Sequence, residues 1–197
     1  MLNTAKNRTL EQRQRKVPVK HRTRQYITFI DLKKAFDKVN RYKLVLELNK
    51  MGISPKLTVI IKNLLSNTTG TIGNEIIATT TGVPQGGVLS PTLFNLYINS
   101  LLVELANNGV KTLAFADDIV FVSNGDRELF KAIEIAKKWS TQSEIEINFT
   151  KSAIMIIRPD KRTKWPNIKT IKGIPVVEQY QYLGITMDDS GSFKPLK

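Results

Sequence analysis

Thr112-Leu-Ala-Phe-Ala-Asp117-Asp118-Ile-Val-Phe-Val122 is the stretch on which the fold turns. Its two apolar runs are each of strand length, and an acidic pair sits between them. The pattern predicts a β-hairpin with two adjacent carboxylates at its tip. At about 4 Å, two like unit charges repel by roughly 4 kcal/mol at an effective dielectric of 20. Apolar flanks make that worse unless a cation is bound, and clustered hard oxygen ligands suit Mg²⁺. A solvated turn is the other way to read Asp-Asp, and these residues by themselves leave both open.

On the N-terminal side, Thr92 to Asn107 has helical periodicity, with Phe94, Tyr97, Ile98, Leu101, Leu102 and Leu105 apolar. The loop Gly82-Val-Pro-Gln-Gly-Gly-Val-Leu-Ser-Pro91 opens that helix. Its glycines and prolines permit close backbone approach to a ligand. No Gly-Lys-Ser/Thr follows, so it is not a Walker loop; a rigid connector is the alternative. Residues 71–81 read as a small hairpin. Two helices are expected before it. The first runs from about Asn40 to Met51, with Leu44, Val45, Leu48 and Met51 on one face, and Gly52 stops it. The second starts at Ser54-Pro55, with Leu57, Ile60, Ile61, Leu64 and Leu65 apolar. Tyr26-Ile-Thr-Phe-Ile30 reads as a buried strand ending at Asp31. Asp37 is expected to cap or begin the helix that follows it.

On the C-terminal side, Asp126 is expected to cap a helix reaching about Gln142, with Leu129, Phe130, Ile133, Ile135, Ala136 and Trp139 apolar. Residues 145–157 read as one or two strands, with Lys151 on the strand-forming segment Asn148-Phe-Thr-Lys. Residues 158–170 are basic and irregular. Two more strands are expected near 171–177 and 180–187. A second acidic pair, Asp188-Asp189, precedes Ser-Gly-Ser and reads as a surface turn. Trp139 and Trp165 read as packing residues. The order of elements predicts an α+β fold, an antiparallel sheet with helices packed on one face.

Composition narrows the function classes. The 197 residues are 41% hydrophobic, enough for one domain or two small ones. Thirty basic against 17 acidic residues give a net charge of +13. Residues 1–25 carry +7, residues 26–150 carry +1 and residues 151–197 carry +5. A near-neutral middle between basic ends favours a polyanionic partner, most simply nucleic acid. The head, with Arg13, Arg15, Lys16, Lys20, Arg22 and Arg24, reads as an arm that folds onto phosphates, or as a solubilising tail. Cysteine is absent and His21 is the single histidine, which argues against thiolate metal sites, zinc hydrolases and histidine-based triads. No apolar run reaches about 18 residues, so no membrane partner is expected. The Arg-rich N-terminus fits a mitochondrial transit peptide loosely, against Glu11 and the lack of serines; an intracellular location is the expectation, with a mitochondrion or other organelle left open.

Together these segments resemble the palm of a reverse transcriptase of the non-LTR retrotransposon and group II intron type. Phe29-Ile-Asp31-Leu-Lys-Lys-Ala-Phe36-Asp37-Lys-Val looks like the first catalytic motif, and Gly82-Val-Pro-Gln-Gly-Gly-Val-Leu-Ser-Pro-Thr-Leu-Phe-Asn95 the second. Phe115-Ala-Asp117-Asp118 is similar to the family's aromatic-x-Asp-Asp box. Asn148-Phe-Thr-Lys151 resembles the next motif, and Tyr182-Leu-Gly-Ile185 the primer-grip hairpin. The resemblance covers about residues 26–187, between the basic arm, 1–25, and a tail, 188–197.

The resemblance implies RNA-directed DNA synthesis with two Mg²⁺ ions held by Asp31, Asp117 and Asp118. The Leu32 carbonyl would add a ligand. Phe36 would lie under the sugar of the incoming nucleotide as a steric gate, and Gln85 and Gly86 would border nucleotide and template. Lys151 would face the pyrophosphate. Tyr182, Leu183 and Gly184 would support the primer end. The implied partners are RNA, as template or structural RNA, and a DNA primer. The family's fingers and thumb have no counterpart in the 25 residues before Tyr26 or the ten after Met187, so another chain, or a longer form of this one, would supply them. Two other roles are open: an inactive RNA-binding component of a ribonucleoprotein such as a mitochondrial ribosome, beside other subunits, or a maturase-like splicing factor.

Overall fold

The computed structural model describes residues 24–66, 68–72, 75–158 and 167–195. At its centre is β1 (Gln25–Ile30), the strand expected at Tyr26–Ile30. It is β-branched and aromatic and is buried on both faces, which is what a strand inside a covered sheet requires. The Asp-Asp stretch forms the expected hairpin of β4 (Lys111–Phe115) and β5 (Asp118–Asn124). β5 pairs antiparallel with β1, and β6 (Ala153–Ile157) pairs antiparallel on the other side. With β7 (Thr170–Ile171) and β8 (Ile174–Val177) the sheet has six strands, ordered β4-β5-β1-β6-β8-β7. It is antiparallel except that β6 and β8 run parallel.

The side-chain period of two divides β1 between two cores. Tyr26 and Ile30 face four helices: α1 (Arg41–Lys50), α2 (Pro55–Ser66), α3 (Ser90–Asn107) and α4 (Asp126–Ser143). Phe29 faces the other way, with Val120, Ala153 and Met155. That second face is covered by a small sheet of β9 (Gln179–Tyr182), β10 (Ile185–Asp188) and β11 (Phe193–Pro195), through Tyr180, Tyr182 and Met187. The helices thus lie on one face, as expected, and the hairpin sheet lies on the opposite one. The remaining pair, β2 (Thr69–Ile72) and β3 (Glu75–Ala78), forms a separate two-stranded hairpin, two residues earlier than expected.

Several local expectations are corrected. The 171–177 stretch is the hairpin β7–β8, because Lys172 (φ 53) and Gly173 (φ 87) both adopt the left-handed conformation of a tight two-residue turn. The 180–187 stretch is likewise two strands, turning at Leu183 and Gly184. Asp126 does not cap α4; Gly125 holds the cap position, and Asp126 instead accepts a hydrogen bond from the Tyr26 hydroxyl. Nor does Asp37 cap α1. That role falls to Asn40, whose side chain accepts from the Lys43 N–H at 3.0 Å. On α2 the apolar stripe is wider than the buried one: Ile61 and Leu65 are buried, whereas Leu57, Ile60 and Leu64 are about half exposed.

The Asp188-Asp189 turn is only half a surface turn. Asp188 Oδ1 accepts from the N–H groups of Ser190 and Ser192, as a turn residue does. Asp189 is buried and pairs with Arg158 at 2.5 Å, tying the end of β6 to the small sheet. Phe193–Pro195, in the segment expected as a tail, pairs with β10. Trp139 packs as expected and donates to Ser100 Oγ; Trp165 lies outside the described residues.

Tyr97 joins α3 to the end of α4. It is buried, packs edge-on against Trp139, and donates to the Ser143 carbonyl at 2.6 Å. That carbonyl belongs to the last turn of α4, which has no intrahelical donor. Burial first, and then the charges of Glu144 and Glu47, push the Tyr97 phenol up to about 12. Tyr97→Phe is expected to cost about 1–3 kcal/mol at pH 7 by orphaning the carbonyl. The unfolded phenol ionises near 10. The folded value is higher, so this contribution is fully present below about pH 10 and lost as pH rises through the folded value. Denaturant melts from pH 7 to 12 should show a gap between parent and variant that narrows over that window; a constant gap would contradict it.

Candidate active site

The register of β1 and β5 assembles the site. Ile30 pairs with Ile119, so Asp31 and Asp118, the next residue outward on each strand, emerge side by side. Asp117 follows Ala116 in the two-residue turn of the hairpin, and Ala116 is held at φ 53, unusual for a non-glycine residue. All three aspartates are half-buried. Burial raises the Asp118 pKa, and the charges of Asp117 and Asp31 raise it further. The three carboxylates therefore repel one another as they stand, and a bound cation would relieve them. Among the described residues no three acidic side chains are gathered into a ready metal cage. The donor set, oxygen only, nevertheless suits a hard cation such as Mg²⁺.

Beyond Ile30 the chain stays anchored by backbone. Asp31 O accepts from Asn148 N at 2.8 Å, Leu32 bridges Ile147, and Lys33 N donates to Glu146 O. Ser152 Oγ accepts from Asp31 N. This extension sets residues 146–151 opposite residues 31–38 as the walls of a cleft of about 630 Å³. The cleft brings together Asp31, Leu32, Phe36, Gln85, Asp117 and Lys151, six of the residues singled out from the sequence. Lys151 is not on a strand. Asn148 O accepts from the N–H groups of both Lys151 and Ser152, closing a turn that leaves Lys151 exposed at the rim.

Phe36 is stacked on Phe94 of α3, with centroids 4.7 Å apart. Its carbonyl accepts from Val83 N, and Val39 O accepts from Gly82 N. These two bonds lay the Gly82 loop against residues 36–39. Gly82 has no room for a side chain: its φ is +81, and a Cβ there would stand 2.8 Å from the Asp37 carbonyl oxygen. Further along, Gln85 Nε2 donates to Asp37 Oδ1 at 2.9 Å. Gly86 is exposed, one residue beyond the cleft lining. Leu32 itself is buried and lines the cleft.

Tyr182, Leu183 and Gly184 lie outside this cleft, on the β9–β10 turn over the opposite face of the sheet. Tyr182 is tilted against Phe29, with centroids 5.7 Å apart. Burial, and then the charge of Asp118, raise its phenol pKa. Of the arm, Arg24 is exposed; Arg13, Arg15, Lys16, Lys20 and Arg22 lie outside the described residues.

Two contributors escaped sequence reasoning. Tyr180 stacks on Phe29 at 4.1 Å and donates to the Lys151 carbonyl, linking the small sheet to the cleft rim. The Tyr-Gln-Tyr alternation in a strand would have placed it on the same face as Tyr182. Arg41 binds the Gly82 carbonyl and five other acceptors. A single arginine at a helix start carries no pattern by which to find it.

A profile of the family described as reverse transcriptase (RNA-dependent DNA polymerase) matches residues 2–187. The chain belongs to the reverse transcriptase family. Its relatives are non-LTR retrotransposon reverse transcriptases. The chain is 28% identical over 193 residues to a Pol polyprotein of retrotransposable element R2 from Popillia japonica, covering 86% of this chain and 27% of the relative. It is 27% identical over 184 residues to the RNA-directed DNA polymerase of the mobile element jockey from Drosophila funebris, covering 84% of this chain and 20% of that protein. The chain thus spans well under half the length of these relatives. Among solved structures, telomerase from Candida tropicalis with a fragment of telomeric RNA superposes with a TM-score of 0.66, covering 91% of this chain and 31% of that one. At 11% identity this likeness shows the reverse transcriptase fold alone.

Gly82→Ala tests the contact between the two reverse transcriptase motifs. The added methyl meets backbone, and the conformation is left-handed, so a loss of about 1–3 kcal/mol is expected. Gly86→Ala, at φ +80 but in open space, should cost less. Thermal melts of the two variants decide it; equal losses would mean that the close approach at Gly82 contributes nothing.

Proposed function

We propose that this chain is the catalytic palm of an RNA-directed DNA polymerase working by two-metal nucleotidyl transfer. The observation that carries the proposal is the single cleft in which Asp31, Asp117, Phe36, Gln85 and Lys151, drawn from four separate sequence motifs, face one another. Asp31, Asp117 and Asp118 would hold the cations, with the Leu32 carbonyl nearby. When bound, two Mg²⁺ ions would supply activation of a primer 3′-hydroxyl and neutralisation of the departing pyrophosphate.

The chain's own groups would do the rest. Phe36, braced from behind by Phe94, presents a rigid wall where a 2′-hydroxyl would project. Gln85, oriented by Asp37, borders the nucleotide and template together with Gly86. Lys151 at the rim supplies a cation, or a proton, to the leaving pyrophosphate. Tyr182, Leu183 and Gly184 stand where a primer end would approach Asp118. The net charge of +13, with its basic ends, supports an RNA template as partner.

Primer extension on an RNA template, with Mg²⁺ and the purified chain, is the test. Asp117→Asn should cut extension about 100- to 1,000-fold, the scale of losing a central electrostatic group, with little change in melting temperature. Phe36→Ala should raise ribonucleotide incorporation relative to deoxynucleotide. Absence of extension from the parent, with salt-sensitive RNA binding that Asp117→Asn leaves unchanged, would overturn the polymerase and leave an RNA-binding module.

A further inference from the structure

The Arg41 guanidinium sits at the start of α1, four residues after Asp37. Its Nε donates to Gly82 O at 2.8 Å. Nη1 donates to Leu65 O at 2.6 Å and to Thr79 O at 2.5 Å. Nη2 reaches Thr68 Oγ1, Thr79 Oγ1 and Thr81 O at 2.7–3.1 Å. A guanidinium has five N–H donors in a fixed fork. All five are directed at the chain's own oxygens, so Arg41 has none left for a phosphate. Its basic character is not its use here.

The acceptors show what it does. Leu65 is in the last turn of α2, whose carbonyl lacks an intrahelical donor. Thr68 and Thr79 face each other at the base of the β2–β3 hairpin, their hydroxyls 2.8 Å apart. Thr81 and Gly82 lead into the loop that carries Gln85. One fork therefore fastens a helix end, a hairpin base and the site loop to the helix that follows Asp37. Gly82 is the residue whose backbone presses on Asp37, and three residues later Gln85 bonds the Asp37 carboxylate. Gln85 also stands between the first cleft and a second of about 610 Å³, lined by Thr68, Thr79, Thr81 and Arg41 itself.

We propose that Arg41 is a positioning residue for nucleotide selection, acting through the Gly82–Gln85 loop rather than by touching substrate. The proposal rests on the polymerase function above. Lysine cannot replace it, because an ammonium has three donors and no planar fork. Positioning of a binding wall, as opposed to the reacting carboxylates, falls on the nucleotide KM and spares kcat.

Steady-state primer extension with Arg41→Lys is expected to show a nucleotide KM raised about tenfold with kcat within about threefold. Amide exchange at Gly82 and Val83 should speed up about tenfold or more, while Ile27 and Phe29 in β1 keep the parent's protection. In a double-mutant cycle, Arg41→Lys added to Gln85→Met should raise KM no further than Gln85→Met alone. Independent, additive losses, a loss confined to kcat, or unchanged exchange at Gly82 and Val83 would each overturn the proposal. Should Arg41→Lys fail to fold, Thr68→Val removes one acceptor and leaves the charge. A smaller shift in the same direction is then expected, and no shift overturns the proposal. Should the parent neither extend a primer nor bind nucleotide, the polymerase function fails, and the exchange of Gly82 and Val83 still decides whether Arg41 holds the loop.

Discussion

The pairing of β1 with β5 is the constraint on which everything else depends. It sets Asp31 beside Asp118 at the ends of two neighbouring strands, with Asp117 in the adjoining turn. Carboxylates so placed repel; burial raises the Asp118 pKa, and the charges of Asp117 and Asp31 raise it further. A lone two-stranded ribbon would relieve the repulsion by fraying at that end. Here it cannot, because the strands behind the carboxylates are sealed: Phe29, Ile30, Ile119 and Phe121 are almost wholly buried. The apolar runs that flank the acidic residues in the sequence are thus the means by which an unfavourable charge arrangement is kept in place.

The two faces of the sheet divide the work. The helical face contains most of the core and supplies stability, and α3 also braces Phe36 through Phe94. The opposite face holds a smaller cluster around Phe29, and its cover is the β9–β11 sheet. That cover reaches the site by three routes. Tyr180 stacks on Phe29 and bonds the Lys151 carbonyl, and Tyr182 leans on Phe29 within the field of Asp118. At the far end the Arg158–Asp189 pair fastens the cover to β6. Movement of the small sheet would therefore be felt at the cleft rim and at the aspartates together.

Legibility in the sequence followed the range of the interaction. Period-two and period-3.6 patterns identified β1, the β4–β5 hairpin and the four helices, because each depends on residues a few positions apart. The cleft residues were legible as motifs, because Asp31, Gln85, Asp117 and Lys151 belong to short, characteristic strings. Errors arose where a residue's partner is remote or its backbone is unusual. Asp189 looks like a turn residue until Arg158, 31 positions earlier, is brought against it. Lys172 has no special turn propensity, yet it accepts a left-handed conformation beside Gly173. Arg41 was invisible because its acceptors are mostly backbone carbonyls, which every residue carries.

Backbone carbonyls as acceptors also allow the site to be both rigid and available. A loop buried against another loop must satisfy its backbone groups. Here the motif segments satisfy one another: Asn148 N with Asp31 O, Lys33 N with Glu146 O, Val83 N with Phe36 O, Gly82 N with Val39 O. Arg41 closes the remaining carbonyls of the loop entrance. Because the walls are joined through main chain, the side chains facing the cleft are not needed to hold them. Among the described residues no hydrogen bond ties the carboxylates of Asp31, Asp117 or Asp118, and no salt bridge engages Lys34, Lys38 or Lys151. By contrast Lys33 and Lys43 pair with Glu146 and Glu144, two acidic residues that also line the cleft. The cleft is therefore lined both by carboxylates, Asp31 and Asp117, and by ammonium groups, Lys34, Lys38 and Lys151, that are not consumed in holding its walls.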